Sequence, residues 1–234
     1  MAVQLPIPFA FHDNQDFDAF YPGPNTQAVA ALKECANGQG EQLIFLWGGR
    51  GSGKSHLLQA SCQFARQGIF YLPLKDYWQH GPALLEGLEQ FQMVCVDDIH
   101  RIAGKHEWEL EFFNFFNRQR DKGHRLVVSA RFAPNKSGIQ LADLTTRLAW
   151  GLSLQLQPLT DQDKQLALKL RAEHKGLALP TNVAQYLLNH YPRDLPSLWT
   201  LLDELDHETL SAKRKLTIPF VKSILRKSGV ESTD

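Results

Sequence analysis

The chain has 234 residues, and its 25 lysines and arginines equal its 25 aspartates and glutamates, so the formal net charge is zero. This length can bury a full hydrophobic core, and one α/β domain with a small accessory domain is the natural partition. Proteins whose main role is to bind nucleic acid usually carry a net positive charge, and this chain does not. A DNA-binding role would therefore need a local basic patch.

Cysteine usage and the amino-terminal residues indicate a cytoplasmic protein. The cysteines at positions 35, 62 and 95 are odd in number and widely separated, so they form neither a disulfide framework nor a zinc-site spacing. Residues 1–10 are apolar, but they lack a basic start and contain two prolines, which argues against a signal peptide. Because no stretch is long enough to span a bilayer, we expect no membrane association.

The first predicted strand, residues 43–47, leads into residues 48–55 (GGRGSGKS), which fit the phosphate-loop pattern G-x-x-x-x-G-K-[ST]. A helix is predicted directly after the loop, at 55–66. In such a loop, backbone N–H groups surround the α- and β-phosphates, Lys54 reaches the β- and γ-phosphates, and Ser55 can ligate Mg²⁺. The flanking elements disfavour the alternative of a chance glycine-rich turn. The residues predicted to bind nucleotide here are Gly48, Gly49, Arg50, Gly51, Ser52, Gly53, Lys54, Ser55 and His56.

Strand and helix patterns then alternate. Strands are predicted at 69–73, 93–97 and 125–129, and helices near 82–90 and at 107–121. The strand at 93–97 ends in Asp97 and Asp98, as a Walker B strand does when it delivers a carboxylate to a metal. The alternative is a strand that runs into an acidic turn. The alternation predicts a parallel sheet covered by helices on both faces.

After Pro158 only helices are predicted, at 160–175, 181–190, 194–210 and 218–227. Thr160 with Asp163 resembles a capping box, and Thr181 is a candidate N-cap. We therefore predict an extended tail at 1–10, a nucleotide-binding α/β domain at 11–157 and a helical lid domain at 158–234. Basic residues cluster near the end of the chain, where a solvated helix face is favoured over DNA contact. They are Lys213, Arg214, Lys215, Lys222, Arg226 and Lys227.

Three motifs, at 53–58 (GKSHLL), 96–100 (VDDIH) and 147–151 (RLAWG), resemble those of the bacterial replication initiator DnaA and its AAA+ relatives. Residues 17–25 (FDAFYPGPN) also resemble the family segment that lies near the nucleotide base. The resemblance implies an AAA+ P-loop NTPase with a helical lid, which binds Mg²⁺ and ADP, ATP or another nucleoside diphosphate. It adds Tyr21, Pro22, Asn25 and Arg193 to the nucleotide-binding residues.

The resemblance also implies catalytic roles. Ser55 and Asp97 would hold Mg²⁺, largely through water, and Asp98 would orient the attacking water. Most of the wider family carries glutamate there, so the shorter aspartate predicts slow intrinsic hydrolysis. Arg147, which follows the last predicted strand, resembles an arginine finger that acts in trans. The alternative for Arg147 is a surface ion pair.

Two positions depart from the family pattern. Arg131, after the strand that ends in Ser129, aligns where the family's first sensor carries an aspartate. Pro196 aligns with the arginine of the second sensor, for which Arg193, one turn earlier, is a candidate substitute. These departures favour a diphosphate-bound resting form over efficient ATP turnover.

Residues 4–9 (QLPIPF) resemble a peptide motif that binds the DNA polymerase III sliding clamp (beta subunit). Leu5, Ile7 and Phe9 would supply apolar anchors and Gln4 a bidentate amide, while the alternative is a tail folded onto the domain. DnaA continues beyond its lid into a DNA-binding domain, whereas this sequence ends after the lid. The combination resembles DnaA-related regulators of replication initiation, and it implies DnaA and the clamp as partners, homo-oligomers, and weak or absent DNA contact. An autonomous ATPase of the helicase-loader type is the alternative.

Overall fold

A computed structural model describes residues 15–65, 68–212 and 214–227, and these form two compact units. The first unit contains residues 15–17, 26–49 and 53–156. The second contains residues 18–25, 50–52 and the described residues from 157 onward. The predicted clamp motif at 4–9 lies outside the described residues.

The first unit is built on a five-stranded, fully parallel sheet in the order β2-β3-β4-β1-β5. Its strands are β1 (Leu43–Trp47), β2 (Ile69–Pro73), β3 (Met93–Asp97), β4 (Arg125–Ala130) and β5 (Leu152–Gln155). The central strands are near-continuous apolar runs, as expected for a parallel sheet that is buried on both faces. Only β5 was missed, since LSLQ is short and half polar.

Helices cover this sheet, as predicted. They are α1 (Thr26–Ala36), α2 (Lys54–Phe64), α3 (Leu74–Tyr77), α4 (His106–Asp121) and α5 (Ala142–Leu148). On one face, Phe45 and Val128 of the sheet pack in one core with Phe112 and Phe115 of α4 and Leu148 of α5. The opposite face carries α2, which contacts β2, β3 and β4. The predicted α/β class with a parallel sheet is therefore confirmed.

The predicted helix at 82–90 is wrong. The structure has two 3₁₀ turns there, Pro82–Leu85 and Leu88–Gln90. Gly87 between them has a φ of 78°, a left-handed conformation that ends any continuous helix. Helices α1, α3 and α5 were not predicted.

Glu109 of α4 has a buried carboxylate that binds the backbone of the segment that leads into α5. It is 1% exposed and accepts backbone N–H bonds from Gly104 (2.6 Å), Gln140 (3.0 Å) and Leu141 (2.8 Å). Leu141 is the N-cap residue of α5. A buried carboxylate with three such donors is well satisfied, and it anchors the helix that carries Arg147.

The second unit is helical, with α6 (Asp161–His174), α7 (Thr181–His190), α8 (Leu195–Ala212) and α9 (Ile218–Lys227) around a leucine-rich core. The capping box of Thr160 and Asp163 at the start of α6 is confirmed. The predicted N-cap at Thr181 is wrong, because Pro180 holds that position and Thr181 is the first helical residue. No helix within the described ranges is both long and apolar enough to cross a bilayer.

Candidate nucleotide-binding site

The sheet order brings the phosphate loop and the acidic pair to one edge. The loop follows β1, Asp97 ends β3, and β4 lies between these two strands. Because all five strands are parallel, their carboxyl ends share that edge, where α/β proteins bind ligands. The groups predicted to handle phosphate and metal in the first unit therefore converge.

The conformation of the loop depends on Gly53, the N-cap of α2, whose φ is 92°. A residue with a side chain would be strained in this left-handed conformation. The conformation lets the loop lead directly into the N-terminus of α2, where backbone N–H groups favour an anion. Lys54 is the first helical residue and is 7% exposed. Its Nζ donates to the carbonyl oxygens of Gly48 and Gly49, both at 2.8 Å.

The charge on Lys54 is set by opposing influences. Burial lowers the pKa of Lys54, and the carboxylates of Asp98 and Asp97 oppose that shift. The positive charge of Arg131 lowers the pKa of Lys54 further. Arg131 is exposed and follows β4. The sequence departure thus places an additional cation on the phosphate side of the site, where it favours an anionic ligand.

Ser55 and His56 continue the first turn of α2. Both are half-buried. His56 Nε2 lies 2.7 Å from the carbonyl oxygen of Asp16, so this ring fastens the segment before residue 17 to the loop helix.

Asp97 is completely buried, and both of its carboxylate oxygens accept hydrogen bonds from hydroxyl groups. Tyr71 Oη donates to Asp97 Oδ2 at 2.9 Å, and Ser129 Oγ donates to Asp97 Oδ1. Gln59 Nε2 of α2 donates in turn to Tyr71 Oη at 3.3 Å. Burial raises the pKa of Tyr71, so its hydroxyl keeps its proton and acts as a donor. Neither Tyr71 nor Gln59 was predicted to belong to the site.

Asp98 is the only non-glycine residue with a positive φ among the described residues, at 62°. Its N–H donates to Ser129 Oγ at 3.0 Å, and its carboxylate lies 3.8 Å from His100 Nδ1. Burial, then the charge of Asp97, raises the pKa of Asp98. Aspartate tolerates the left-handed region better than most residues, and here it turns the second acid away from the strand direction.

Arg147 lies on α5, between β4 and β5, so the expectation that it follows the last strand is wrong. Its guanidinium carbon is 4.7 Å from the Phe113 ring centroid and 5.1 Å from that of Trp150. Its Nη1 is buried and has no hydrogen-bond partner within the described parts of the chain. No described carboxylate forms the ion pair that was the alternative for this residue.

The predicted base-side residues belong to the second unit. Tyr21 Oη donates to Asp163 Oδ1 at 3.2 Å, which fastens it to α6. Asn25 is buried, and its amide pairs with both backbone groups of Gln157: Nδ2 donates to the carbonyl oxygen, and Oδ1 accepts from the N–H at 2.7 Å. Its side chain thus positions the segment that contains Pro22.

The loop tip, residues 50–52, also belongs to the second unit. There Arg50 lines a cavity of about 440 Å³ together with Asp194, which precedes α8, and with Pro196, Ser197 and Thr200 of α8. A Cβ on Gly51 would lie 2.7 Å from Pro196 Cδ, and the φ of Gly51 is 75°, so only glycine fits there. Pro196 therefore packs against the loop tip. Arg193 donates to the Leu188 carbonyl at 2.9 Å and pairs with Asp161 at 3.0 Å.

The donor set suits Mg²⁺ better than a metal that needs many protein ligands. Among the described residues, no three histidine, cysteine, aspartate or glutamate side chains are grouped to hold an ion. Mg²⁺ is usually bound through one or two carboxylates, substrate phosphates and several waters. Asp97 and the Ser55 hydroxyl supply oxygen donors of that kind.

Comparison with known proteins identifies the relatives. Residues 75–155 match the family model of the bacterial DnaA ATPase domain, and residues 161–225 match the model of the Hda lid domain. The chain is a DnaA- and Hda-related protein. The phosphate loop lies outside both matched segments, so its assignment depends on the motif and on the geometry described above.

Solved structures of low identity share the AAA+ fold of this DnaA-related chain. Domain III of Thermotoga maritima DnaA is 22% identical with a TM-score of 0.79, over 94% of this chain and 98% of that one. Aquifex aeolicus DnaA bound to AMPPCP is 22% identical with a TM-score of 0.71, over 82% of this chain and 64% of that one. The Thermotoga maritima branch migration motor RuvB is 15% identical with a TM-score of 0.64, over 86% of this chain and 67% of that one.

Proposed function

We propose that this protein, bound to nucleotide and to the sliding clamp, stimulates hydrolysis of DnaA-bound ATP and so prevents re-initiation of replication. The observation that carries the proposal is that the guanidinium of Arg147 forms no ion pair with a described carboxylate. It lies against the Phe113 and Trp150 rings, and its Nη1 has no described partner. A permanently charged, planar donor without an ion-pair partner matches the phosphate oxygens that a neighbouring molecule would present.

The protein's own nucleotide has a supporting role. The loop, Lys54 and the acid pair supply phosphate and Mg²⁺ ligands, and the AMPPCP bound by Aquifex aeolicus DnaA supports an adenine nucleotide, ADP or ATP. When bound, Mg²⁺ would neutralise phosphate charge. Asp98 in place of glutamate and a proline at position 196 both favour slow turnover and an ADP-bound resting form.

The Hda-type lid favours this regulatory function over a helicase-loader type of ATPase. The proposed partners are DnaA and the clamp, with self-association into homo-oligomers in the cytoplasm. Direct DNA contact is proposed to be weak or absent. The described basic side chains of the carboxyl-terminal segment are exposed, and Lys222 lies 5.4 Å from the Tyr186 ring centroid, as on a solvated face.

Deleting residues 1–10 tests the proposed clamp attachment. We expect clamp affinity, measured by surface plasmon resonance, to fall at least tenfold, because the apolar anchors of residues 4–9 are removed. Nucleotide affinity and Tm should stay near the parent values, since an extended terminal peptide contributes little to a core. The control Val3→Ala, which leaves residues 4–9 intact, should bind like the parent. Parental clamp affinity in the deletion variant would refute the attachment.

A further inference from the structure

The buried carboxylate of Asp97 is held by a chain of side chains that links three elements of the first unit. Gln59 lies on α2, Tyr71 on β2 and Asp97 at the end of β3. In the parallel register, Tyr71 pairs with Cys95, two residues before Asp97, so the tyrosine reaches diagonally across to the carboxylate. The bonds are 3.3 Å from Gln59 Nε2 to Tyr71 Oη and 2.9 Å from Tyr71 Oη to Asp97 Oδ2.

We propose that Tyr71, supported by Gln59, is a positioning residue for Mg²⁺ at the nucleotide site. The inference rests on the proposed nucleotide-binding function and adds a residue that the sequence did not place in the site. With Ser129 on Oδ1 and Tyr71 on Oδ2, both carboxylate oxygens are fixed, so the free lone pairs of Asp97 keep one direction. Metal ligands oriented by such outer hydrogen bonds lose about 10- to 100-fold in metal affinity when the orienting group is removed.

The hydrogen bond from Tyr71 to Asp97 is buried, so water cannot readily replace it. Asp97 is 0% exposed and Tyr71 is 7% exposed, so bulk water does not reach Oδ2 to replace a lost hydroxyl. Removal of that hydroxyl leaves a buried acceptor without its donor, and the carboxylate is then oriented by Ser129 alone. The predicted effect therefore falls on metal-dependent binding and spares the contacts that the loop makes to phosphate.

The test is the Mg²⁺ dependence of ADP affinity, measured by calorimetry with excess Mg²⁺ and with EDTA. For each protein, the ratio of the two affinities gives the coupling between Mg²⁺ and nucleotide. In Tyr71→Phe we expect this ratio to fall about tenfold while the affinity in EDTA stays unchanged. The control Tyr77→Phe removes a hydroxyl that makes no side-chain hydrogen bond among the described residues, so its ratio should equal the parent's.

A purely structural role for Tyr71 would lower Tm and leave the ratio unchanged, and that result would overturn the inference. Gln59→Leu provides a second route if Tyr71→Phe fails to fold: it frees the Tyr71 hydroxyl, and the ratio should fall by a smaller factor. An unchanged ratio in folded Gln59→Leu would then count against the inference. If the parent protein bound ADP with the same affinity in Mg²⁺ and in EDTA, the inference about Tyr71 would be overturned, while the proposed function would stand. A parent that binds no nucleotide at all would contradict the proposed function itself.

Discussion

Arg147→Ala should reduce the stimulation of DnaA-bound ATP hydrolysis by on the order of 100-fold or more. An arginine finger supplied in trans contributes on the order of 10³ to 10⁵ in rate, because it stabilises charge that develops in the transition state. The measurement is single-turnover hydrolysis of ATP bound to DnaA, with clamp and DNA present. Arg147→Lys should rescue only part of the rate, since an ammonium restores charge without the planar, bidentate geometry.

The same neighbourhood offers a matched control. The guanidinium of Arg120 lies 5.9 Å from the Trp150 ring centroid, so Arg120→Ala also removes a cation beside that ring. It should stimulate DnaA like the parent, and both variants should keep parental clamp and nucleotide binding. If Arg147→Ala stimulated as well as the parent, the finger assignment would be wrong, and Arg131 would be the next residue to test.

Lys54→Ala should weaken nucleotide binding about thirtyfold or more. Truncation of one partner of a buried, hydrogen-bonded charge pair costs about 2–5 kcal/mol. Lys54 Nζ donates to the Gly48 and Gly49 carbonyls, so the ammonium lies within the loop that is proposed to bind phosphate. Calorimetry with ADP measures the loss.

Two comparisons separate loss of the site from loss of the fold. Lys75→Ala removes an exposed lysine of α3 in the same unit and should bind ADP with parental affinity. The Tm of Lys54→Ala should remain within a few degrees of the parent, because the substitution removes two side-chain hydrogen bonds within the loop and none to the hydrophobic core. Parental ADP affinity in Lys54→Ala would show that residues 48–55 do not bind phosphate.

The local patterns of the sequence were sufficient to predict the place of the loop between β1 and α2, four of the five strands described in the sheet, and the capping box at Thr160. Each depends on residues that are adjacent or three to four positions apart, so the sequence alone displays the pattern. The 3₁₀ turns at 82–90 were predicted as a helix because apolar spacing does not reveal the positive φ of Gly87. Strand β5 was missed because two of its four residues are polar.

The side chains that support the site could not be predicted from local pattern. Tyr71 reads as an apolar strand residue, and its bond to Asp97 spans 26 positions of sequence. Glu109 reads as an ordinary polar residue of α4, yet its carboxylate accepts N–H bonds from residues 31 and 32 positions away. Strand register and tertiary packing create these contacts. The spacing of apolar and polar residues in one sequence gives no information about either.

Direct measurement of ATP hydrolysis on DnaA tests the proposed regulatory function most directly. DnaA would be loaded with labelled ATP, and label conversion to ADP would be followed with and without this protein, with clamp loaded on DNA. We expect conversion to accelerate only when clamp, DNA and this protein are all present, while the protein alone turns over little free ATP. No acceleration of DnaA-bound ATP hydrolysis, together with substantial turnover by the protein alone on single-stranded DNA, would contradict the proposal and favour an autonomous ATPase of the helicase-loader type.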